Sequence, residues 1–144
     1  APHAGDAGIR ITMKPHGGIS ITAREMLSVH AEVDHPAFTL CYDPGNILHY
    51  TKGRQKPETD IAQVAPNIAT VMVKDCAFVD GNPDVNVRPG TGEVDFPRIL
   101  QHLLAADYAG PFYVECVGGD TPEAVDRNLA RTLGYLEGML ETLA

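Results

Sequence analysis

The sequence predicts an α/β chain built on a parallel sheet, and three observations predict it. Four short apolar runs, residues 9–14, 37–42, 68–73 and 112–117, alternate with helical patterns in the order β-α-β-α-β-α-β-α. Strands separated by helices form parallel sheets with right-handed crossovers. Successive runs recur at roughly 30–40 residues, the size of a βαβ unit. Two architectures satisfy this order: a four-stranded open sheet, or half of an eight-stranded barrel.

Each element has its own signal. Pro15-His-Gly-Gly18 ends the first run. Thr22-Ala-Arg-Glu25 has capping-box spacing, and Met26, Leu27, Val29 and Val33 supply an apolar face until Asp34-His-Pro36 breaks it. Asp43-Pro-Gly-Asn46 closes the second run. Its helix opens at Pro57-Glu58 and carries Ile61, Val64 and Ala65. The third run ends in Lys74-Asp75, and a long loop over residues 76–94, rich in Gly, Pro, Asn and Asp, follows. Asp95 caps a helix bearing Ile99, Leu100, Leu103 and Leu104, which stops by Gly110 with Tyr108 packing at its end. Gly118-Gly119-Asp120 follows the fourth run, and Thr121-Pro122-Glu123 opens the last helix. There Val125, Leu129, Leu133, Leu136 and Leu140 step by 4, 4, 3 and 4, a helical period.

Composition bounds the function. The 144 residues make one domain, 1–144. Eleven Lys and Arg against 19 Asp and Glu give a net charge of −8 with no basic cluster, which argues against a nucleic-acid partner. With 44% hydrophobic and 21% charged residues the chain folds rather than staying disordered. No apolar run approaches the ~20 residues that cross a bilayer, so no membrane partner is expected. Cys41, Cys76 and Cys116 are odd in number and match neither a disulfide framework nor a zinc ribbon; each reads as a small buried side chain. No charged-then-apolar leader precedes the first run, and the expectation is a cytoplasmic chain.

In parallel α/β proteins function collects where the strands end. Strand period 2 puts Arg10, Thr12, Lys14 and His16 on one face of the first strand, and Thr39, Cys41 and Asp43 on one face of the second. It does the same for Thr70, Met72 and Lys74 on the third, and for Tyr113, Glu115 and Val117 on the fourth. If these faces point inward, Lys14, Asp43, Met72 and Glu115 surround one point, where charges need mutual pairing or a ligand. Lys74 lies beside that centre, able to neutralise Asp75 or to touch a substrate. His16, just before Gly17-Gly18, could ligate a metal or bind a hydroxyl, and His49 reads as solvated surface. Gly90-Thr-Gly92, with Arg88 nearby, and Gly118-Gly119 could hold a phosphate, although ordinary turns are the simpler reading.

Taken together, Met13-Lys-Pro-His-Gly17, Tyr42-Asp-Pro-Gly-Asn46, Val71-Met-Val-Lys-Asp75, Gly90-Thr-Gly-Glu-Val-Asp-Phe96 and Gly110-Pro-Phe-Tyr-Val-Glu115 resemble the C-terminal half of a xylose isomerase-like TIM barrel. The resemblance is to the sugar isomerase and epimerase group that also includes endonuclease IV-type enzymes, and it spans residues 8–144. It implies one (βα)4 half-barrel corresponding to strands 5 to 8 of the (β/α)8 fold. In that group a Glu, an Asp, a His and a Glu from those strands bind one divalent metal, Mn²⁺, Mg²⁺ or Co²⁺, and the glutamates move protons between adjacent sugar carbons.

Carried over by position, Asp43 matches the Asp and Glu115 the last Glu, so these two are the implied metal ligands. Lys14 stands at the first Glu position and Met72 at the His position. A protonated lysine cannot ligate, and a thioether suits hard dications poorly. The resemblance therefore implies a catalytic set of Glu115, Lys14 and Asp43, with His16, Asn46 and Lys74 binding substrate. The expected reaction is proton transfer next to a sugar carbonyl through an enediolate-like intermediate. It would run without the usual metal, or with one bound differently through His16. The alternatives are a non-catalytic half-barrel or carbohydrate-binding module, and an endonuclease IV-like DNA-repair role. The last needs a His-rich multi-metal set that an acidic chain disfavours.

Four strands leave open edges and an exposed inner face. Residues 1–8 read like the tail of a preceding helix. The expected partner is the missing N-terminal half of the barrel or a second copy that closes eight strands with two-fold symmetry.

Overall fold

A computed structural model describes residues 1–143. In chain order the elements are α1 (Pro2–Asp6), β1 (Ile11–Met13), α2 (Ala23–Val33), β2 (Phe38–Tyr42), α3 (Pro44–Thr51) and α4 (Pro57–Val64). They continue with β3 (Ile68–Val73), β4 (Ala77–Val79), β5 (Asn82–Asp84), α5 (Phe96–Ala105), β6 (Phe112–Val114) and α6 (Pro122–Leu143). The main sheet is parallel throughout, in the order β1-β2-β3-β6, with Thr12 opposite Thr39, Leu40 opposite Ile68, and Met72 opposite Tyr113. This is the expected α/β half-barrel architecture.

Alternation along the strands decides the two faces. Leu40, Tyr42, Val71 and Val73 turn to the helices and join Met26, Ile47, Leu48, Ile61, Val64, Ile99 and Leu103 in one core. The intervening side chains, from Thr39 and Cys41 to Thr70, Met72 and Tyr113, take the opposite face, where Tyr113 is 51% exposed. Tyr42 spans the helix layer. Its hydroxyl donates to the Pro57 carbonyl at 2.6 Å and lies 3.2 Å from Asp60 Oδ1, while Asp60 Oδ2 accepts the Ala23 amide at 3.2 Å. One buried carboxylate thus ties α4 to the start of α2, and burial raises the pKa of both Asp60 and Tyr42.

The helix signals hold. Thr22 and Glu25 form the capping box of α2, and Asp95 Oδ1 accepts the Arg98 amide at 3.1 Å to cap α5. Elsewhere the sequence expectations need correction. The first strand covers only Ile11–Met13, and the last stops at Val114 rather than at residue 117. The stretch after Asp43 is not a closing turn but the helix α3, and the loop over 76–94 contains the antiparallel hairpin β4–β5. The helix α5 ends at Ala105, and Tyr108 donates from its hydroxyl to the Pro111 carbonyl at 2.7 Å, past the helix end.

The last helix runs for 22 residues, but its apolar stripe is not sealed: Leu129 is 45% exposed and Leu133 54%, whereas Thr132 and Leu136 are buried. Leu133, Leu136 and Leu140 line an apolar cleft of about 210 Å³ with Leu100, Phe112 and Val114. The stripe flanks β6, which has β3 as its one neighbour among the described residues; β1 likewise has only β2.

Candidate active site

The site starts from the joint between β2 and α3. Asp43 follows the last residue of β2 and is the N-cap of α3, where its Oδ1 accepts the Asn46 amide at 2.9 Å. Pro44 follows as the first helical residue, which needs no amide donor there. The first turn of α3 lies against the end of β3 so closely that a Cβ on Gly45 would sit 2.7 Å from the Lys74 carbonyl oxygen and 2.9 Å from that of Asp75. Only glycine fits. The result is a fully buried carboxylate at the strand end.

Its second oxygen, Oδ2, lies 3.3 Å from Lys14 Nζ, at ion-pair distance but without a well-directed hydrogen bond. Lys14 Nζ donates to Glu115 Oε2 at 2.5 Å, and Lys74 Nζ reaches Glu115 Oε1 at 3.3 Å. Glu115 is held just past β6, where its amide continues the sheet by donating to the Val73 carbonyl at 3.2 Å. The next residue, Cys116, has a left-handed φ of 58°, a conformation uncommon for cysteine, and turns the chain away at once. Two ammoniums and two carboxylates therefore alternate across the ends of all four strands.

Their ionisation follows from exposure and partners. Burial alone would raise the pKa of Glu115, but the Lys14 hydrogen bond and the Lys74 charge outweigh it and hold the pKa below the usual value. Burial would lower that of Lys14, yet Glu115 and Asp43 keep it above its ordinary range. For Asp43 burial wins over the Asn46 amide and the two lysines, and its pKa is raised. Cys41, on the same sheet face, and Cys76 are buried free thiols; burial raises both, Cys76 to about 11. Cys116 is only half-buried, contrary to the expectation for it.

Lys14, Asp43 and Glu115 thus meet as the sequence suggested. Met72 sits on the same face, but the fourth polar member is Lys74, 4% exposed, which the sequence reading set beside the centre. Asn46 is 2% exposed and its amide nitrogen donates to the Pro15 carbonyl at 2.7 Å, so it braces the loop after β1 rather than lying open to a hydroxyl. His16 is exposed on that loop, with the Tyr50 hydroxyl 2.9 Å from its Nδ1. His49 is half-buried, with Nδ1 sealed and unbonded, and is not the solvated residue expected. Sequence reasoning missed Tyr50 because α3 itself was missed; Asp43-Pro44, a cap followed by proline at the first helical position, was the available signal.

The Gly90-Thr-Gly92 turn is not an open phosphate cradle. Asp75, fully buried, accepts the amides of Gly90 and Gly92 at Oδ2 (2.9 and 2.8 Å) and those of Cys76 and Val94 at Oδ1 (2.8 and 3.0 Å). The protein's own carboxylate fills the place an anion would take. At the other glycine pair, the Gly118 carbonyl accepts from Asn128 Nδ2 at 3.2 Å.

A hard dication needs several oxygen or imidazole ligands. Among the described residues no three His, Cys, Asp or Glu gather to hold one. Lys14 Nζ contacts both carboxylates that could ligate, and its charge opposes a cation there. The residues present do not fit such an ion. Clefts of about 390 and 450 Å³ lie at the other end of the sheet around Arg10 and Pro66. None of the helices among the described residues is long and apolar enough to cross a membrane.

A family model described as xylose isomerase-like TIM barrel matches residues 1–137. The chain is 26% identical over 127 residues to an inosose dehydratase of Glaesserella parasuis serovar 5 (strain SH0165), covering 78% of this chain and 42% of that protein. Among solved structures, a xylose isomerase domain protein from Planctomyces limnophilus superposes with a TM-score of 0.78 at 22% identity, covering 99% of this chain and 49% of its own. A xylose isomerase-like TIM barrel protein from Mycobacterium smegmatis in complex with magnesium gives 0.75 at 24% identity, covering 99% and 48%. Matching structures also include one described as a D-tagatose 3-epimerase-like protein and one described as an L-ribulose 3-epimerase. The chain spans about half the length of the proteins it matches.

Proposed function

The chain belongs to the xylose isomerase-like TIM barrel family, and from that premise we propose that it carries the proton-transfer half of a sugar isomerase or epimerase-type site. The single observation behind this reading is the contact of Lys14 Nζ with both Glu115 and Asp43 at the strand ends. Glu115 acts as the base, taking a proton from the carbon next to a sugar ketone or aldehyde. The electron pair moves onto the carbonyl oxygen, where the Lys14 ammonium meets the developing charge, and the proton returns to complete the enediolate-like exchange. As the substrate oxygen draws the ammonium, Glu115 loses its shortest donor and becomes more basic. Asp43 keeps Lys14 charged and oriented, Lys74 keeps Glu115 ionised before substrate binds, and His16 contacts a hydroxyl. Lys14 supplies the positive charge for which family relatives use a metal, so the site works without one.

A second reading, loss of water rather than its retention, is favoured by the inosose dehydratase match. It begins with the same proton abstraction and differs only in whether a β-hydroxyl leaves. Glu115→Gln tests both readings. Turnover of a panel of ketoses and inososes is expected to fall about 10²–10⁴-fold while the chain keeps its native circular dichroism and melts only a few degrees lower, as loss of a part-exposed ion pair requires. Unchanged turnover would refute the role of Glu115. Ketose binding with no turnover in the native protein would favour the non-catalytic module. Elemental analysis of the same preparation is expected to find no stoichiometric divalent ion, and finding one lost on Asp43→Asn would overturn the metal-free site.

A further inference from the structure

Resting on that reading, we propose that this chain moves its proton on one face of the substrate only. Its own residues then support aldose–ketose isomerisation or syn loss of water, and not inversion of the carbon that gives up the proton. Inversion needs two proton carriers, one on each side of a planar enediolate carbon. Reacting atoms stand about 3–3.5 Å apart, so two such carriers lie about 6–7 Å from each other with the carbon between them. The cluster at the strand ends is too closed for that. Lys14 Nζ is 2.5 Å from Glu115 Oε2, and Lys74 Nζ is 3.3 Å from Oε1. What lies between the two ammoniums is the Glu115 carboxylate itself. Asp43, 3.3 Å from Lys14, is fully buried and spends its other oxygen on the Asn46 amide. Glu115 keeps 39% of its side chain exposed and is the carboxylate of the cluster that a substrate can reach.

The backbone keeps these groups on one side. Lys74 directly follows β3 and Glu115 directly follows β6, neighbouring parallel strands, and the Glu115 amide donates to the Val73 carbonyl at 3.2 Å. Tyr113, exposed two residues before Glu115, shares its face of the strand. The His16 ring, on the loop after β1, packs against Tyr50 of α3 at 5.2 Å. One carrier therefore makes the whole exchange. The Glu115 carboxylate takes the proton beside the carbonyl, the C–H electron pair becomes the enediol double bond, and the carbonyl oxygen takes a proton from Lys14. In isomerisation Glu115 returns its proton, from the same face, to the former carbonyl carbon. The neighbouring hydroxyl gives its proton to Lys14 and becomes the new carbonyl. In dehydration the electron pair expels a β-hydroxyl, which leaves as water with the proton from Glu115. The first oxygen returns its proton to Lys14 as the carbonyl re-forms. Both routes restore Glu115 and Lys14.

Incubation of the full chain in ²H₂O with D-fructose, D-xylulose and an inosose, followed by NMR, tests this. Deuterium is expected on one face of a carbon beside the carbonyl in at least one probe. The recovered ketone keeps its configuration, and new products are confined to the aldose isomer or the dehydrated ketone. An absent proton carrier costs about 10²–10⁴-fold, so the epimer at that carbon is expected to form at least about 100-fold more slowly than deuterium enters. Glu115→Gln, with its circular dichroism unchanged, is expected to stop the exchange. An epimer formed faster than that limit, or deuterium at both hydrogens of a CH₂OH carbon, overturns the one-face inference while leaving Glu115 as the base. Loss of that epimer in His16→Gln would then assign the opposite face to His16. Exchange that persists in Glu115→Gln, or no exchange with any probe, overturns the reading of Glu115 as the base, and the one-face inference falls with it.

Discussion

Replacing Lys14 by methionine keeps most of the side chain's volume and deletes its charge. In the native site the ammonium lies 3.3 Å from a carboxylate oxygen of Asp43, which is fully buried, and 2.5 Å from Glu115. Two unit charges 3.3 Å apart attract by about 5 kcal/mol at an effective dielectric near 20. Desolvation offsets part of this. Removing one member of a sealed pair costs about 3–5 kcal/mol, and Lys14 retains 24% exposure, so about 2–3 kcal/mol is expected. The loss falls on Asp43, left with the Asn46 amide and the more distant Lys74 charge. Urea unfolding of Lys14→Met, Asp43→Asn and the double variant at pH 7 is expected to give a coupling of at least about 1 kcal/mol.

The deficit also has a definite pH slope. The folded pKa of Asp43 already lies above its unfolded value, so its ionised form opposes folding and protonation relieves that opposition. Loss of Lys14 raises this pKa further. Glu115 has a folded pKa below the unfolded one, so its stabilisation is full above the unfolded pKa and fades as pH falls through the folded pKa. The variant lacks most of that stabilisation. Both effects make Lys14→Met more damaging at pH 7 than at pH 4. An equal deficit at the two pH values, or a coupling indistinguishable from zero, would refute the ion-pair account.

Asp75→Asn removes one of two oxygens that each accept two backbone amides, and a loss of about 2–4 kcal/mol is expected, with faster hydrogen exchange across Gly90, Gly92 and Val94 than at the β3 amides. Unchanged exchange there would mean that the turn holds itself. Expressed alone, the chain is expected to sediment at about twice its 15.5 kDa, because β1, β6 and the leucines of α6 invite another (βα)4 unit; a strict monomer with free edges would count against that pairing.

Much of this was legible in the residues. Apolar runs at barrel-unit spacing located all four sheet strands, and period-2 geometry brought Lys14, Asp43 and Glu115 to one face. Lys74 was harder, because strand alternation fixes where a side chain leaves the backbone, not where a four-carbon stem ends. Its ammonium reaches Glu115 on the neighbouring strand. Asp75 was read as a charge to be neutralised by Lys74, yet its partners are amides up to 19 residues away, a long-range closure that no local pattern encodes. The helix α3 stayed hidden because Pro-Gly reads as a turn unless the capping role of Asp43 is weighed first. The exposure of Leu129 and Leu133 was equally invisible, since periodicity identifies an apolar stripe without telling what covers it.

The carboxyl group of Asp43 divides its two oxygens between architecture and reactivity. One secures the opening turn of a helix, and the other looks toward the ammonium where bonds would change. Any ligand that pulls on the second oxygen therefore tugs on the first, and through it on Asn46, Tyr50 and the loop that bears His16. Occupancy at the strand ends should thus be felt as a tightening along a neighbouring helix.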